Sequence, residues 1–148
     1  MNEIIRIAEK EIGQTEKPAN SNKTKYGKWF GLDSVAWCGM FVSWCHSTAG
    51  FPLPKIGFSK GFAGCQTAVV YFKKNEMITK EPVEGDIVFF DWNKDGRYDH
   101  TGLFVKWIIK NLTFETIEGN TAVGNDSNGG EVMRRNRNVK DSIFVHVV

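Results

Sequence analysis

Cysteine is scarce in this sequence, with only three among 148 residues. An odd and sparse set of cysteines argues against a fold stapled by disulfides. Cys38 and Cys45 lie about two turns apart on the helix predicted below, so they cannot form a disulfide while that helix is intact.

Long apolar runs are absent as well. No stretch approaches the roughly 20 apolar residues of a membrane span, so we expect no membrane insertion. The first residues lack the basic segment and following apolar segment of a signal peptide, so we expect synthesis in the cytoplasm without one. The net charge is only +2 and no long Lys/Arg run occurs, which gives little support to nucleic-acid binding.

The residues that are present predict one α+β domain over residues 1–148. Apolar residues at helical spacing predict helices at residues 3–11, near 23–30, at 38–49 and at about 65–75. Residues 87–90, 101–108, 113–117, 132–135 and 143–147 are rich in strand-forming residues and predict strands. Helices followed by strands indicate N-terminal helices packed on a C-terminal antiparallel sheet.

Cys38 opens the third predicted helix and is a candidate nucleophile. Phe41, Val42 and Cys45 follow it at the spacing of one buried helix face. The unpaired N–H groups and the dipole of a helix N-terminus favour an anion, and therefore a thiolate at this position. The alternative is a buried structural cysteine, because free cysteine is commonly buried.

A cysteine nucleophile needs a base, and His100 is the best placed histidine. His46 lies about 12 Å from Cys38 along the same predicted helix, too far to serve, and His146 is interpreted as structural. His100 stands at the entrance of a predicted strand. A base of this kind also needs an orienting group on its second ring nitrogen.

Two residues are candidates for orienting His100. A hairpin between residues 101–108 and 113–117 places His100 opposite about Asn120, close to Glu118. Gly119, between them, is expected to let the backbone turn out of the strand. The alternative for Glu118 is a solvated carboxylate at a strand end.

Four segments occur in a characteristic order: WCGMFVSWC (37–45), GDIVFF (85–90), DHTGL (99–103) and IEGN (117–120). Together they resemble the CHAP family of cysteine amidohydrolases and peptidases, in the NlpC/P60-like, papain-like group that includes phage endolysins. The order of four motifs across nearly the whole chain is more specific than any one of them. Gly39 departs from the Ala of many relatives, a small change that leaves the resemblance standing.

The resemblance implies a papain-like fold and cleavage of an amide bond in peptidoglycan. The bond is either the N-acetylmuramoyl-L-alanine amide or one within the stem peptide or cross-bridge. The resemblance implies Cys38 as nucleophile, His100 as base and Glu118 as its orienting residue, with Asn120 assisting. It implies no cofactor for the chemistry.

Aromatic residues near the motifs are candidates for binding a sugar-peptide substrate. We expect Trp37 and Trp92 to line the groove, with a role in the core as the alternative. The expected partner is bacterial peptidoglycan. We expect the protein to act on it as a monomer, after release or delivery to the wall. The sequence suggests no separate wall-binding module, so affinity comes from the groove, a partner or a fused module.

A second motif has the spacing of a calcium loop. Oxygen ligands would come from Asp91, Asn93, Asp95, Asp99 and the carbonyl of Arg97. The twelfth position is Gly102 instead of a bidentate Glu. A structural Ca²⁺ site and a polar turn held by Asx hydrogen bonds therefore both stay open.

Two further classes of function remain as alternatives. One is a papain-like peptidase or toxin amidase acting on another amide. The other is a non-enzymatic binding module in which Cys38 and His100 are structural or bind a metal. The metal alternative is weakened because Cys38, Cys45 and His46 lack the short Cys spacing of ordinary zinc sites.

Overall fold

The computed structural model describes residues 2–147 and confirms the α+β class. The helices of the described chain are α1 (Glu3–Glu11), α2 (Lys25–Phe30), α3 (Cys38–Thr48) and α4 (Cys65–Lys74). The strands follow as β1 (Ile78–Thr79), β2 (Ile87–Phe90), β3 (His100–Ile109), β4 (Thr113–Thr121), β5 (Glu131–Asn138) and β6 (Ser142–Val145). A single 3₁₀ turn, Val139–Asp141, joins β5 to β6.

The sheet is antiparallel, in the order β1-β6-β2-β3-β4-β5. The predicted hairpin is β3–β4, in which Leu103 lies opposite Ile117. On its other side β3 pairs with β2, and His100 lies opposite Phe90. The two-residue strand β1 was not predicted, because its pairing with β6 is a long-range contact that no local pattern encodes.

Gly119 has a different role from the predicted one. The strand β4 continues past Gly119 to Thr121, and Asn120 has the positive φ of 57°. A Cβ on Gly119 would lie 2.7 Å from Cβ of Phe41 and 2.9 Å from the Trp37 ring. The prediction of a turn at Gly119 is therefore wrong: its missing side chain allows α3 to pack directly on β4.

Apolar side chains form two clusters in the described chain. The larger cluster packs α1, α3 and α4 against one face of the sheet. The smaller cluster contains Val88, Phe90, Phe104, Phe114 and Phe144 from the sheet itself. Within residues 2–147, no helix has the length and apolar character that crossing a membrane requires.

Candidate active site

Cys38 is the first residue of α3, as predicted from the sequence. The N-cap residue Trp37 provides no side-chain hydrogen bond to the helix. The N–H groups of the first turn have no acceptor within the helix itself, so they are available to an anion at this end of α3. The Cys38 residue is 4% exposed, which places its sulfur just beneath the surface.

His100 begins β3 and is held by Glu118 from the neighbouring strand β4. His100 Nε2 lies 2.9 Å from Glu118 Oε1, and both side chains are fully buried. Because an ionised carboxylate only accepts hydrogen bonds, Nε2 carries the proton of this contact. Among residues 2–147, the other nitrogen, Nδ1, has no hydrogen-bond partner, which leaves it available to the Cys38 sulfur.

The charges of this group stabilise one another. Burial lowers the pKa of His100, but the charge of the nearby Cys38 and the hydrogen bond with Glu118 raise it to about 9. Burial raises the pKa of Glu118, but hydrogen bonds from Arg137 and His100 lower it to about 2. The arrangement therefore favours an imidazolium between two anions at neutral pH.

Cys65, which opens α4, lies beside the candidate nucleophile. Its Sγ is 3.8 Å from Sγ of Cys38. A hydrogen bond from Cys65 and the charge of His100 hold the pKa of Cys38 well below its usual range, against the effect of burial. The pKa of Cys65 is raised by the same hydrogen bond and by burial. Sequence reasoning missed this neighbour, although Cys65 also stood at the start of a predicted helix.

Arg137 on β5 contacts the carboxylate from the side opposite His100. Arg137 Nε donates to Glu118 Oε2 at 2.8 Å and Nη2 donates to Oε1 at 2.6 Å. The third guanidinium nitrogen, Nη1, donates to Asp126 at 2.9 Å. Sequence analysis gave no signal for Arg137, because it is one of three arginines in an alternating strand.

Gly102 makes room for the Glu118 side chain. A Cβ on Gly102 would lie 2.5 Å from Cγ of Glu118. Gly102 occupies the twelfth position of the calcium-like motif. A side chain at this position would displace the Glu118 carboxylate that contacts His100.

Two of the predicted site residues lie away from the imidazole. Asn120 accepts from the Gly130 N–H through Oδ1 at 3.1 Å, and its Nδ2 donates to Asn128 at 3.3 Å, so its amide ties down the loop after β4. Trp37 is fully buried, and its Nε1 donates to Glu16 at 2.9 Å. Its expected role in lining a groove is corrected, because a fully buried ring offers no surface to a substrate.

Trp92 is half-buried and covers His100. Their rings are 5.5 Å apart and nearly parallel, at 27°. Trp92 also stacks on Phe90, with ring centroids 4.9 Å apart. Trp92 is thus placed beside the imidazole with part of its surface open, which keeps it a candidate for substrate contact.

The calcium-like segment forms a compact polar turn. Asp91 accepts from the N–H groups of Asp95 and Gly96 at 3.3 and 2.9 Å, and Asp95 accepts from that of Arg97 at 2.9 Å. Within residues 2–147, no cluster of three or more His, Cys, Asp and Glu side chains is arranged to hold a metal ion. These contacts are those of the Asx alternative, since the carboxylates already accept backbone hydrogen bonds.

Comparison with known families identifies the family of this chain. The family model of the CHAP domain matches residues 30–120, more than half of the chain. The chain belongs to the CHAP family. A search of curated proteins found no significant match to it. CHAP domains are hydrolases of the amidase and peptidase type that act on peptidoglycan, which sets the class of chemistry for this site.

The CHAP match includes every residue predicted to take part in the chemistry. Cys38, His100, Glu118 and Asn120 all lie between residues 30 and 120. Arg137 lies outside the matched range, although it makes two of the shortest contacts to Glu118. The closing strand β5 therefore contributes to the site of this CHAP domain without being part of the match.

Proposed function

We propose that this CHAP domain is a thiol hydrolase that cleaves an amide bond of bacterial peptidoglycan. The observation that carries the proposal is the group formed by the Cys38 sulfur, the His100 imidazole and the Glu118 carboxylate. A nucleophile, a nearby base and an anion that orients the base are the set that thiol hydrolysis of an amide requires. The finer proposal of a papain-like arrangement rests on the cysteine helix α3 packing against the sheet that carries His100.

The chemistry proceeds through an acyl-enzyme. The Cys38 thiolate attacks the carbonyl carbon of the scissile amide, and the oxygen becomes an oxyanion. His100 then transfers its Nδ1 proton to the leaving amine as the C–N bond breaks, which leaves a thioester on Cys38. Water, deprotonated by His100, attacks the thioester and releases the acid, and the proton returns to the Cys38–His100 pair.

Backbone N–H groups at the start of α3 are the proposed oxyanion donors. The first turn of α3 has no side-chain cap from Trp37, so its N–H groups are free to bind the oxyanion. Each donor of this kind contributes about 3 kcal/mol to lowering the barrier. Asn120 acts indirectly in this proposal, by holding the loop beyond β4 in place.

The test uses purified peptidoglycan and two cysteine variants. Wild type is expected to reduce the turbidity of a wall suspension, and Cys38→Ala is expected to abolish that activity while keeping the wild-type circular dichroism spectrum. Cys45→Ala is the matched control, because Cys45 is a buried cysteine of the same helix that lies on its apolar face. Wall hydrolysis by a folded Cys38→Ala variant would remove the proposal.

The products of digestion identify the bond. Cleavage of the N-acetylmuramoyl-L-alanine amide releases intact stem peptides from unaltered glycan chains. Cleavage within the stem or cross-bridge leaves part of the peptide on the glycan. Mass spectrometry of the soluble fragments distinguishes the two. A protein or peptide substrate cleaved in place of the wall would instead support a peptidase or toxin amidase.

The context of the reaction is part of the same proposal. We expect residues 1–148 to act as one domain and as a monomer, on the wall, after release or delivery from the cytoplasm. Calcium at the turn that contains Asp91, Asn93 and Asp95 stays a prediction. Calorimetric titration with CaCl₂ tests it: binding lost in Asp95→Ala would support a site, and no heat in wild type would oppose one.

A further inference from the structure

Arg137 joins two carboxylates beside the active site, those of Glu118 and Asp126. Its guanidinium forms a two-pronged contact with both oxygens of Glu118, at 2.8 and 2.6 Å, and a third contact with Asp126. Arg137 is 9% exposed and Glu118 is fully buried. The planar guanidinium matches a carboxylate in geometry, so this contact restricts the orientation of the carboxylate as well as balancing its charge.

The geometry of Glu118 explains why this contact matters for His100. Glu118 Oε1 receives both the His100 Nε2–H and the Arg137 Nη2–H. The carboxylate has no solvent around it, so without a cation it would favour the neutral form. A neutral or rotated carboxyl would no longer be a fixed acceptor for Nε2–H, and the imidazole would lose its orientation.

A second path leads from Arg137 to the imidazole. The guanidinium carbon lies 4.7 Å from the centre of the Trp92 ring, and that ring lies 5.5 Å from the His100 ring. It also lies 5.4 Å from the Phe90 ring, which stacks on His100 at 5.9 Å. Arg137 therefore supports His100 through a hydrogen bond relay and through aromatic stacking.

We propose that Arg137 is a positioning residue of this hydrolase, which fixes Glu118 as an oriented anion and thereby holds His100 in place against Cys38. The proposal rests on the function proposed above, and it adds a member to the site from the strand β5, which lies beyond the matched family range. Arg137 acts through Glu118 and Trp92 and does not itself contact the reacting atoms.

The proposal predicts an altered acid limb of the pH profile. In wild type the Glu118 carboxylate stays ionised far into acid, because the pKa is about 2 despite burial. In Arg137→Gln, burial still raises the pKa of Glu118, but the hydrogen bonds from Arg137 that lower it are lost. Glu118 therefore takes up a proton at a higher pH than in wild type. Below that pH the imidazolium loses its counter-ion and the Cys38 thiolate becomes less populated. The other titratable groups around this pair are the Cys65 thiol and the carboxylates of Asp99 and Asp126.

The experiment follows three variants with two readouts. The first readout is kcat and KM on soluble peptidoglycan fragments between pH 4 and 10, and the second is the rate at which iodoacetamide alkylates Cys38. Arg137→Gln is expected to lower kcat about a hundredfold, the loss typical of about 1 Å of misplacement, with KM unchanged. It is also expected to move the acid limb of both profiles to higher pH.

Arg137→Lys and Arg134→Gln complete the comparison. Lysine keeps the positive charge but lacks the planar guanidinium that contacts both carboxylate oxygens, so an intermediate kcat is expected. This variant replaces Arg137→Gln if Arg137→Gln fails to fold. Arg134 is on the same strand and pairs with Glu9 and Glu115 away from His100, so Arg134→Gln is expected to keep the wild-type profiles.

The outcomes separate this proposal from the proposed function. Wild-type kcat and wild-type pH profiles in a folded Arg137→Gln or Arg137→Lys variant would overturn the positioning role, even with Cys38→Ala inactive. In a second outcome, wild type leaves peptidoglycan intact while Arg137→Gln still shifts the alkylation profile relative to wild type. That result would support the positioning role and remove the wall substrate. Equal effects of Arg134→Gln and Arg137→Gln would also overturn the proposal, because they would point to a general effect on β5.

Discussion

Glu118→Gln offers a sharp test of the buried charge relay through the pH dependence of stability. The pKa of Glu118 is about 2 in the folded chain, against an ordinary value of 4.5. A group whose folded pKa is depressed contributes stability above its unfolded pKa and loses it as pH falls through the folded one. The difference of about 2.5 pH units, at about 1.4 kcal/mol each, gives about 3 kcal/mol at neutral pH.

The structure gives a second route to the same magnitude. Removing the charge of Glu118 leaves the buried Arg137 guanidinium with Asp126 as its one carboxylate partner within residues 2–147. Removing one partner of a buried ion pair lowers the free energy of unfolding by about 3 to 5 kcal/mol. We therefore expect Glu118→Gln to reduce the free energy of unfolding by about 3 kcal/mol at pH 7. The difference should shrink between pH 4.5 and pH 2, where wild type itself becomes protonated.

Urea unfolding followed by tryptophan fluorescence at a series of pH values measures this difference. Glu115→Gln is the matched control, since Glu115 lies on the same strand in a partly exposed ion pair with Arg134. Pairs of that kind contribute about 0 to 1 kcal/mol, so a small change with little pH dependence is expected. A Glu118→Gln difference that stays constant from pH 7 to pH 2 would refute the assigned ionisation.

Three further predictions follow from the site. Cys65→Ala removes the hydrogen bond to the Cys38 sulfur, so the pKa of Cys38 should rise, measured as the midpoint of iodoacetamide alkylation; an unchanged midpoint would exclude that hydrogen bond. Gly119→Ala places a Cβ 2.7 Å from Phe41 and should cost about 1 to 3 kcal/mol in thermal unfolding, whereas a neutral effect would show that α3 can move away from β4. Hydrolysis should decline as pH rises through about 9, because His100 loses the proton it gives to the leaving amine; full activity at pH 10.5 would contradict this assignment.

Local patterns in the sequence predicted most of the secondary structure. Helix α1 occupies residues 3–11 as the apolar spacing indicates, and α3 begins at Cys38. Strands β3 and β4 both extend beyond their predicted bounds, to His100 and Thr121. Both extensions occur where another strand supplies a partner: His100 lies opposite Phe90 of β2, and Thr121 lies opposite Glu131 of β5 beyond an irregularity in the ladder. Such long-range pairing is not encoded locally, which is why the sequence-based bounds stopped short.

The candidate site was predictable only where each residue had a local signature. Cys38 lies at the start of a helix and His100 at the start of a strand, so the sequence alone identified both as candidate catalytic residues. Trp37 was assigned to a groove because aromatic residues serve both cores and binding surfaces, and the sequence carries no sign of which. The structure decides this point through its full burial and its hydrogen bond to Glu16.

By itself the sequence determined the α+β class, the helix that carries Cys38 and the hairpin that brings His100 near Glu118. Only the tertiary structure decided which groups surround them: Cys65 lies 27 positions from Cys38, and Arg137 lies 19 positions from Glu118. The physical reason is that periodicity reports which face of an element is buried, whereas the partner on that face is set by how separate elements pack. The charge state of this site depends on those partners, so it emerges only once the chain is folded.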